Sequence, residues 1–214
     1  MNLRTSFWLV IIFAFLMSCN DVRDKKEENI PFEKLSPEST GIYFSNIITP
    51  NIETSENLFD YDYFYNGSGV GIADINNDGL KDVLFTANQR ENKLFLNKGN
   101  LRFEDITELS NINPANKKWS SGVTFADINN DGWLDIYISQ GGPYDSKNRK
   151  NLLLINNQNL SFSEKAQEYG LDDKGISTQS AFFDFDKDGD LDCIVMNENE
   201  FFGYDPISFF KKYE

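Results

Sequence analysis

Three short segments of the sequence combine aspartate, asparagine and glycine in one nine-residue pattern. They read DINNDGLKD from Asp74, DINNDGWLD from Asp127 and DFDKDGDLD from Asp184. Each places side-chain oxygens at positions 1, 3, 5 and 9 and glycine at position 6. Hard oxygens on a tightly curved segment are the ligands that Ca²⁺ prefers, and glycine supplies the positive φ that such a curve needs. The pattern predicts three calcium-binding loops in which position 7 contributes its backbone carbonyl.

An Asx-turn without a metal is the alternative interpretation, since Asp, Asn and Gly favour turns for reasons of their own. Repetition of all five constrained positions in three copies favours the metal, because carboxylates crowded into one loop repel one another unless a cation neutralises them. An EF-hand is excluded. Its loop needs glutamate at position 12 and a helix on either side, whereas position 12 here is Phe85, Ile138 or Val195.

The segments around the loops repeat as well, with loop spacings of 53 and 57 residues. Residues 92–107 (NKLFLNKGNLRFEDIT) align without a gap to residues 151–166 (NLLLINNQNLSFSEKA). Each repeat contains four short segments that alternate or are rich in β-branched and aromatic residues, as β-strands are. Four strands every fifty-odd residues predict a β-propeller blade, with a solenoid as the alternative. Helices are expected only at EKAQEYG and ISFFKKYE.

The strings YFYNGSGVGIADINNDGLKDVLFTAN, GVTFADINNDGWLDIYIS and FFDFDKDGDLD resemble the FG-GAP/VCBS repeat of integrin α-like propellers. They also resemble bacterial lipoproteins of this class, which often carry a C-terminal ASPIC/UnbV domain. The resemblance implies one Ca²⁺ per loop, and we expect the third loop, which has the highest charge, to bind most tightly. The implied ligands are Asp74, Asn76, Asp78, Leu80 (carbonyl) and Asp82; Asp127, Asn129, Asp131, Trp133 (carbonyl) and Asp135; and Asp184, Asp186, Asp188, Asp190 (carbonyl) and Asp192.

The fold class predicted for residues 41–214 is all-β, a partial β-propeller of about three four-stranded blades. The blades are expected around residues 66–112, 119–171 and 177–214, the last of them incomplete. The family closes about seven blades, so the chain is interpreted as an N-terminal fragment whose remaining blades come from a longer chain or from self-association. Residues 40–48 (TGIYFSNII) are a candidate early strand that would complete the last blade.

The N-terminus carries the pattern of an export signal. Arg4 precedes an apolar stretch that is shorter than the roughly 20 residues of a membrane-spanning helix. The sequence LMSC resembles a lipobox, which implies a signal peptide over residues 1–18 and lipidation of Cys19. An uncleaved anchor helix is the alternative. Residues 19–40 are expected to form a flexible tether, and the protein to be anchored in the outer membrane or cell surface of a Gram-negative bacterium.

Composition restricts the function. The net charge of −14 disfavours nucleic-acid binding, and the absence of histidine excludes Ser-His-Asp and Cys-His catalysis. We expect a non-enzymatic, calcium-binding surface module that binds a protein or a glycan; the alternative is part of a larger polysaccharide-processing enzyme. Residues that offer other chemistry are expected to be structural: Glu104, Asp105 and Glu164 on solvated strand faces, Cys193 buried in a strand, and the aromatic group Tyr61, Tyr63, Phe64 and Tyr65 in the core rather than on a sugar platform.

Overall fold

The computed structural model describes residues 32–114, 119–145 and 149–198, which contain ten β-strands in three antiparallel sheets. The predicted signal peptide, Cys19 and most of the predicted tether lie outside these residues, as does the expected helix at ISFFKKYE. Residues 36–198 belong to one compact unit. In the described part of the chain, no helix has the length and hydrophobicity needed to cross a bilayer.

The first sheet has four strands in sequential order, β1 (Val70–Ala73), β2 (Asp82–Phe85), β3 (Lys93–Asn97) and β4 (Phe103–Asp105). The second repeats it with β5 (Ser120–Ala126), β6 (Asp135–Gln140), β7 (Leu152–Asn156) and β8 (Phe162–Glu164). The third contains β9 (Ile176–Phe183) and β10 (Asp192–Glu198), paired antiparallel. These sheets confirm the predicted all-β class and the two complete blades, and the third blade is incomplete within the described residues.

The core lies between consecutive sheets because each strand turns alternate side chains to opposite faces. Leu84 and Leu94 of the first sheet pack with Ile136 and Leu154 of the second, and all four are fully buried. Further along, Tyr137 of the second sheet stacks edge-on against Phe182 of the third, with ring centroids 5.4 Å apart. The central strands of the second sheet are therefore buried on both faces, one against each neighbouring sheet.

Close approach of the sheets depends on glycine at the start of their first strands. A Cβ added to Gly69 would lie 2.5 Å from the backbone oxygen of Ser121. Hydroxyl groups fill the remaining space: Thr86 Oγ1 donates to Ser121 O at 2.6 Å, and Ser121 Oγ donates to Ser177 O at 2.6 Å. Small polar residues thus hold each first strand against the next.

The segment before the first blade differs from the prediction. Residues 41–50 contain no strand, so the early strand expected over residues 40–48 is not formed in this chain. Phe44 instead stacks on Phe85, with centroids 4.7 Å apart, and Asn46 Nδ2 donates to Asn88 Oδ1 at 2.6 Å. Side-chain contacts with the first blade therefore replace backbone pairing.

Two short helices were not predicted, α1 (Pro37–Thr40) and α2 (Thr107–Ser110). The helix expected at EKAQEYG is wrong, because residues 166–170 form turns. Among the aromatic residues, Tyr61 and Phe64 are buried against Trp119, as expected of core residues, whereas Tyr65 is exposed.

Candidate metal-binding loops

The three acidic loops occupy the same place in each sheet, between its first and second strands. They connect β1 to β2, β5 to β6 and β9 to β10. The glycine at position 6 has φ of 87°, 85° and 99° at Gly79, Gly132 and Gly189, as the sequence predicts. Position 4 is also left-handed, at Asn77, Asn130 and Lys187. Two left-handed residues close together curve each loop tightly enough to turn its polar side chains to one side.

The aspartate at position 1 closes the curve by accepting backbone N–H groups. Asp74 accepts from Asp78 N at 3.1 Å and from Gly79 N at 2.8 Å. Asp127 repeats this arrangement with Asp131 N at 3.0 Å and Gly132 N at 2.8 Å. In the third loop Asp184 accepts from Gly189 N at 3.2 Å. Each carboxylate is thereby held inside its own loop.

Positions 3 and 5 are fixed by a second set of hydrogen bonds. Asn76 Nδ2 donates to Asp78 Oδ2 at 2.9 Å, and Leu80 N donates to Asp78 Oδ1 at 2.8 Å. The second loop has the same pair, with Asn129 and Trp133 donating to Asp131 at 2.9 Å each. The N–H of position 7 therefore orients the carboxylate of position 5, while the carbonyl of position 7 as a ligand stays a prediction.

The same contacts perturb the titration of the position-5 carboxylates. The backbone N–H of Leu80, followed by the Asn76 amide, lowers the pKa of Asp78. The backbone N–H of Trp133 lowers the pKa of Asp131. In the third loop the side chain of Asp190 lowers the pKa of Asp188, and Asp188 raises that of Asp190. The position-5 carboxylates are held in the ionised form that a cation requires.

The aspartate at position 9 is a structural acceptor in the first two loops. Asp82 is buried and accepts from Ile75 N at 3.0 Å and from Asn97 N at 2.8 Å. Asp135 is fully buried and accepts from Ile128 N at 2.9 Å and Asn156 N at 2.8 Å. Burial raises the pKa of both carboxyls despite these hydrogen bonds.

This acceptor role of position 9 was not predicted from the sequence. The donors are the backbone N–H groups of Asn97 and Asn156 on the third strands, and a backbone donor gives no signal in the type of its residue. Asp192 is exposed and accepts from Phe185 N at 2.8 Å. It differs from its counterparts because the described part of the third blade has no third strand to supply the second donor.

The third loop brings three carboxylates together. One oxygen each from Asp184, Asp186 and Asp188 lies within 4.8 Å of the other two, and all three residues are exposed. In the described part of the chain, no position-9 aspartate belongs to a cluster of three acidic residues. The first two loops have asparagine at position 3, so their oxygens at positions 1, 3 and 5 come from two carboxylates and one amide. Oxygen donors without nitrogen or sulfur fit a hard cation such as Ca²⁺ better than a transition metal.

Neighbouring loops also contact each other. Asn77 Nδ2 in the first loop donates to Gly132 O in the second at 3.0 Å. The buried Asn156 Nδ2 donates to Ile75 O at 2.8 Å and to Leu134 O at 3.1 Å, which joins both loops to the third strand of the second sheet. The first two loops therefore form one hydrogen-bonded unit.

The other carboxylates that the sequence singles out lie apart from the loops. Glu104 and Asp105 are exposed on β4, where they pair with Lys98 at 3.4 Å and Lys93 at 3.2 Å. Glu164 is exposed on β8 and accepts from Ala166 N at 2.8 Å. Their placement on solvated strand faces agrees with the structural role expected. Cys193 lies on β10 as predicted but is half-buried rather than buried, and burial raises the pKa of its thiol.

The repeat with its loops matches a known family. Residues 74–138, which run from the first loop to the second, match the model of the FG-GAP-like repeat. The chain therefore contains the FG-GAP-like repeat. Its four-stranded sheets correspond to FG-GAP blades of the integrin α-like type, as the resemblance of the loop strings implies.

Three relatives show the extent of this similarity. Integrin alpha-8 of Mus musculus is 33% identical over 108 residues, covering 44% of this chain and 10% of the integrin. Cartilage acidic protein 1 of Xenopus tropicalis is 31% identical over 157 residues, covering 70% of this chain and 23% of the relative. Cartilage acidic protein 1 of Mus musculus is 25% identical over 177 residues, covering 75% and 27% respectively. The FG-GAP-repeat chain thus spans about a tenth to about a quarter of these relatives.

Proposed function

We propose that the chain is a non-enzymatic binding module whose FG-GAP loops each hold one Ca²⁺ as a structural ion. The observation that carries the proposal is the convergence of Asp184, Asp186 and Asp188, whose carboxylate oxygens lie within 4.8 Å of one another. The equivalent ligands of the other loops are held by hydrogen bonds within each loop. In each loop the residues at positions 1, 3, 5 and 9 bind the ion, with the carbonyl of position 7.

Calcium acts here on the folded chain rather than on a substrate. Three exposed carboxylates at close range repel one another, and a divalent cation removes that repulsion. Because the ion binds the folded loop and not the unfolded chain, it stabilises the fold by mass action. The loops connect the first and second strands of every sheet, so a bound ion fixes the strand pair on which the packing of blades depends.

The similarity to these relatives supports the binding role. The relatives are named integrin and cartilage acidic protein, names that denote no enzyme. We propose that the chain presents its blades to a protein or a glycan at the cell surface. Lipidation of Cys19 would anchor it to the outer membrane, with the residues after Cys19 as a tether.

Apolar surface at both ends of the stack supports completion by further blades. Val70 and Ile72 on the first sheet are 58% and 65% exposed, and Ile194 and Met196 on the third are 57% and 62% exposed. Sheet faces of this kind are normally covered. We propose that they are covered by blades of a longer chain or by a second copy of this one.

Calorimetric titration of the purified chain with CaCl₂ tests the proposal. We expect about three ions per chain, and one fewer for each of the variants Asp78→Ala, Asp131→Ala and Asp188→Ala. Glu168→Ala is the control, since Glu168 is an exposed carboxylate paired with Lys165 at 2.7 Å outside the loops. Absence of saturable binding by the folded wild-type chain would reject calcium as the structural ion.

A further inference from the structure

We propose that a cavity at the strand ends opposite to the metal-binding loops binds a neutral saccharide unit. The cavity has a volume of about 520 Å³, which is in the range of small-molecule sites. It lies between the residues that follow β2, those that precede β5 and the turn formed by residues 49–56. This assignment rests on the proposed binding role and gives it a site and a ligand class.

The wall of the cavity is held in place by paired hydrogen bonds. Gln89 Oε1 accepts from Thr49 N at 2.6 Å, and Gln89 Nε2 donates to Thr49 O at 3.1 Å. Glu56 accepts from Gln89 Nε2 at 3.2 Å and from the hydroxyl of Tyr144. An antiparallel bridge joins Asn51 to Glu56. The turn is thereby fixed to the first blade, and a preorganised wall reduces the entropy that a ligand must overcome.

One residue that lines the cavity has a hydrogen-bond donor without a partner in the described chain. Asn92 lines it and is only 4% exposed. Its Oδ1 accepts from Ala87 N at 3.0 Å, and its backbone N–H donates to Asn113 Oδ1 at 3.0 Å. Among the described residues, the side-chain nitrogen of Asn92 has no hydrogen-bond partner, although it is not enclosed by protein. Because this nitrogen is not enclosed by protein, it is open to a hydrogen bond with a ligand oxygen in the cavity.

A second polar group adjoins the cavity. Ser120 lines it and accepts from Gln140 Nε2 at 3.0 Å. The side-chain oxygen of Gln140, a residue that is 1% exposed, is buried without a partner in the described chain. Of these groups, only the side-chain nitrogen of Asn92 is available to a ligand, because Gln140 Oε1 is enclosed by protein and Gln140 does not line the cavity.

The charge of the lining selects a neutral ligand. Arg90 and Glu91 are adjacent at the rim, and Glu56 is already engaged by three side-chain donors, from Thr54, Gln89 and Tyr144. Two carboxylates against one guanidinium, in a chain of net charge −14, disfavour phosphate, sulfate or an acidic glycan. Hydroxyl groups both donate and accept and therefore match the mixed amides and hydroxyls. The apolar surfaces of Pro50 and Pro114 can contact the C–H groups of a sugar ring.

The test is an NMR titration of the ¹⁵N-labelled chain in saturating Ca²⁺. The probes are the methyl glycosides of glucose, galactose, mannose and N-acetylglucosamine, with glucuronate as the anionic comparison. We expect saturable shifts at the amides of residues 49–56 and 89–92 for at least one neutral glycoside, and weaker shifts for glucuronate. The assignment is overturned if no neutral glycoside causes saturable shifts, or if the saturable shifts occur only at other residues.

The variant Asn92→Asp isolates the unused donor because it keeps the oxygen that caps Ala87 N. We expect affinity to fall at least about tenfold. Asn159→Asp is the matched control. Asn159 is exposed, and its Oδ1 likewise accepts a backbone N–H, from Ser161 at 3.1 Å. Unchanged affinity of a folded Asn92→Asp chain overturns the role of the donor, and if that variant does not fold, the shift map of the wild-type chain decides.

The outcome is separable from that of the calcium proposal. If the chain binds calcium but no glycoside, the saccharide site is rejected and the calcium proposal stands. If the chain binds a glycoside at residues 89–92 but no calcium, the saccharide site stands and the calcium proposal is rejected.

Discussion

The side-chain nitrogen of Asn77 donates a 3.0 Å hydrogen bond to the backbone oxygen of Gly132, which joins the acidic loops of two adjacent blades. Both residues are left-handed, with φ of 56° and 85°. Because these conformations form only when each loop is closed, ordering of one loop favours ordering of the other. The two loops are expected to bind calcium with positive cooperativity.

Replacing Asn77 by glycine removes the amide but keeps a residue that accepts positive φ. We expect a loss of about 0.5–1 kcal/mol in the free energy of unfolding and loss of cooperativity between two of the calcium sites. Asn130→Gly is the matched control, since Asn130 has the same φ class at position 4 and its side chain makes no hydrogen bond to a described residue. Urea unfolding and calcium titration measure both effects. If both variants had the same unfolding free energy and the same calcium cooperativity, the hydrogen bond between the loops would not couple the two calcium sites.

The fully buried Asp135 is expected to stabilise the fold even without calcium. Asp135→Ala leaves the N–H groups of Ile128 and Asn156 without their acceptor, which costs about 3 kcal/mol in unfolding free energy. Glu104→Ala, which removes an exposed ion pair with Lys98, costs less than about 1 kcal/mol. Urea unfolding in excess chelator measures both values free of metal binding. A similar small cost for both variants would contradict the structural role of position 9.

Replacing Gly69 by a residue with a side chain is expected to destabilise the fold, because the next blade packs directly against this position. In Gly69→Ala the new Cβ would meet the backbone oxygen of Ser121 at 2.5 Å, and relief of that clash separates the first two sheets at a cost of about 2 kcal/mol. Gly141→Ala is the control, since its nearest contact would be Ser177 O at 3.3 Å. Thermal unfolding compares them. A Gly69→Ala chain as stable as Gly141→Ala would argue against close packing of the first strands.

Glu198 gives a pH dependence with a defined sign. Burial raises the pKa of its carboxyl above 4.5, although Tyr61 donates to it at 3.4 Å. A raised pKa in the folded state means that Glu198 favours folding below the unfolded pKa and loses this contribution as pH rises through the folded value. Glu198→Gln is therefore expected to be more stable than the wild type at neutral pH.

The difference should be less than about 1 kcal/mol, because Glu198 is partly screened by solvent, and should vanish below about pH 4. Glu53→Gln on an exposed residue is the control. Melting temperatures across the acid range measure the effect. A gain for Glu198→Gln that persists in acid would show that its cause is not ionisation.

The blades and the places of the loops could be predicted because their signals are local. Alternation or a high content of β-branched and aromatic residues marks the strands, and glycine at position 6 marks the curve of each loop. Gly79 and Gly132 have the positive φ expected from their place in the pattern. Each repeat contains four such segments, and the first two sheets have four strands each.

Contacts between residues distant in sequence could not be predicted. The hydrogen bond from Asn97 N to Asp82 joins residues on different strands. The stacking of Phe44 on Phe85 takes the place of the strand expected over residues 40–48. Lys187 at position 4 is left-handed although its sequence gives no sign of it, because the closure of the loop imposes the conformation. In each case tertiary geometry, which a local pattern does not contain, decides the outcome.

The most direct test of the account is the melting temperature of the purified chain in excess CaCl₂ and in excess chelator at equal ionic strength. Binding to the folded loops alone predicts a higher melting temperature in calcium, with a shift that grows with the logarithm of free Ca²⁺. The variant Asp188→Ala, which opens the cluster with Asp184 and Asp186, should show a smaller shift. An identical melting temperature with calcium and with chelator would contradict the claim that these loops are calcium-stabilised.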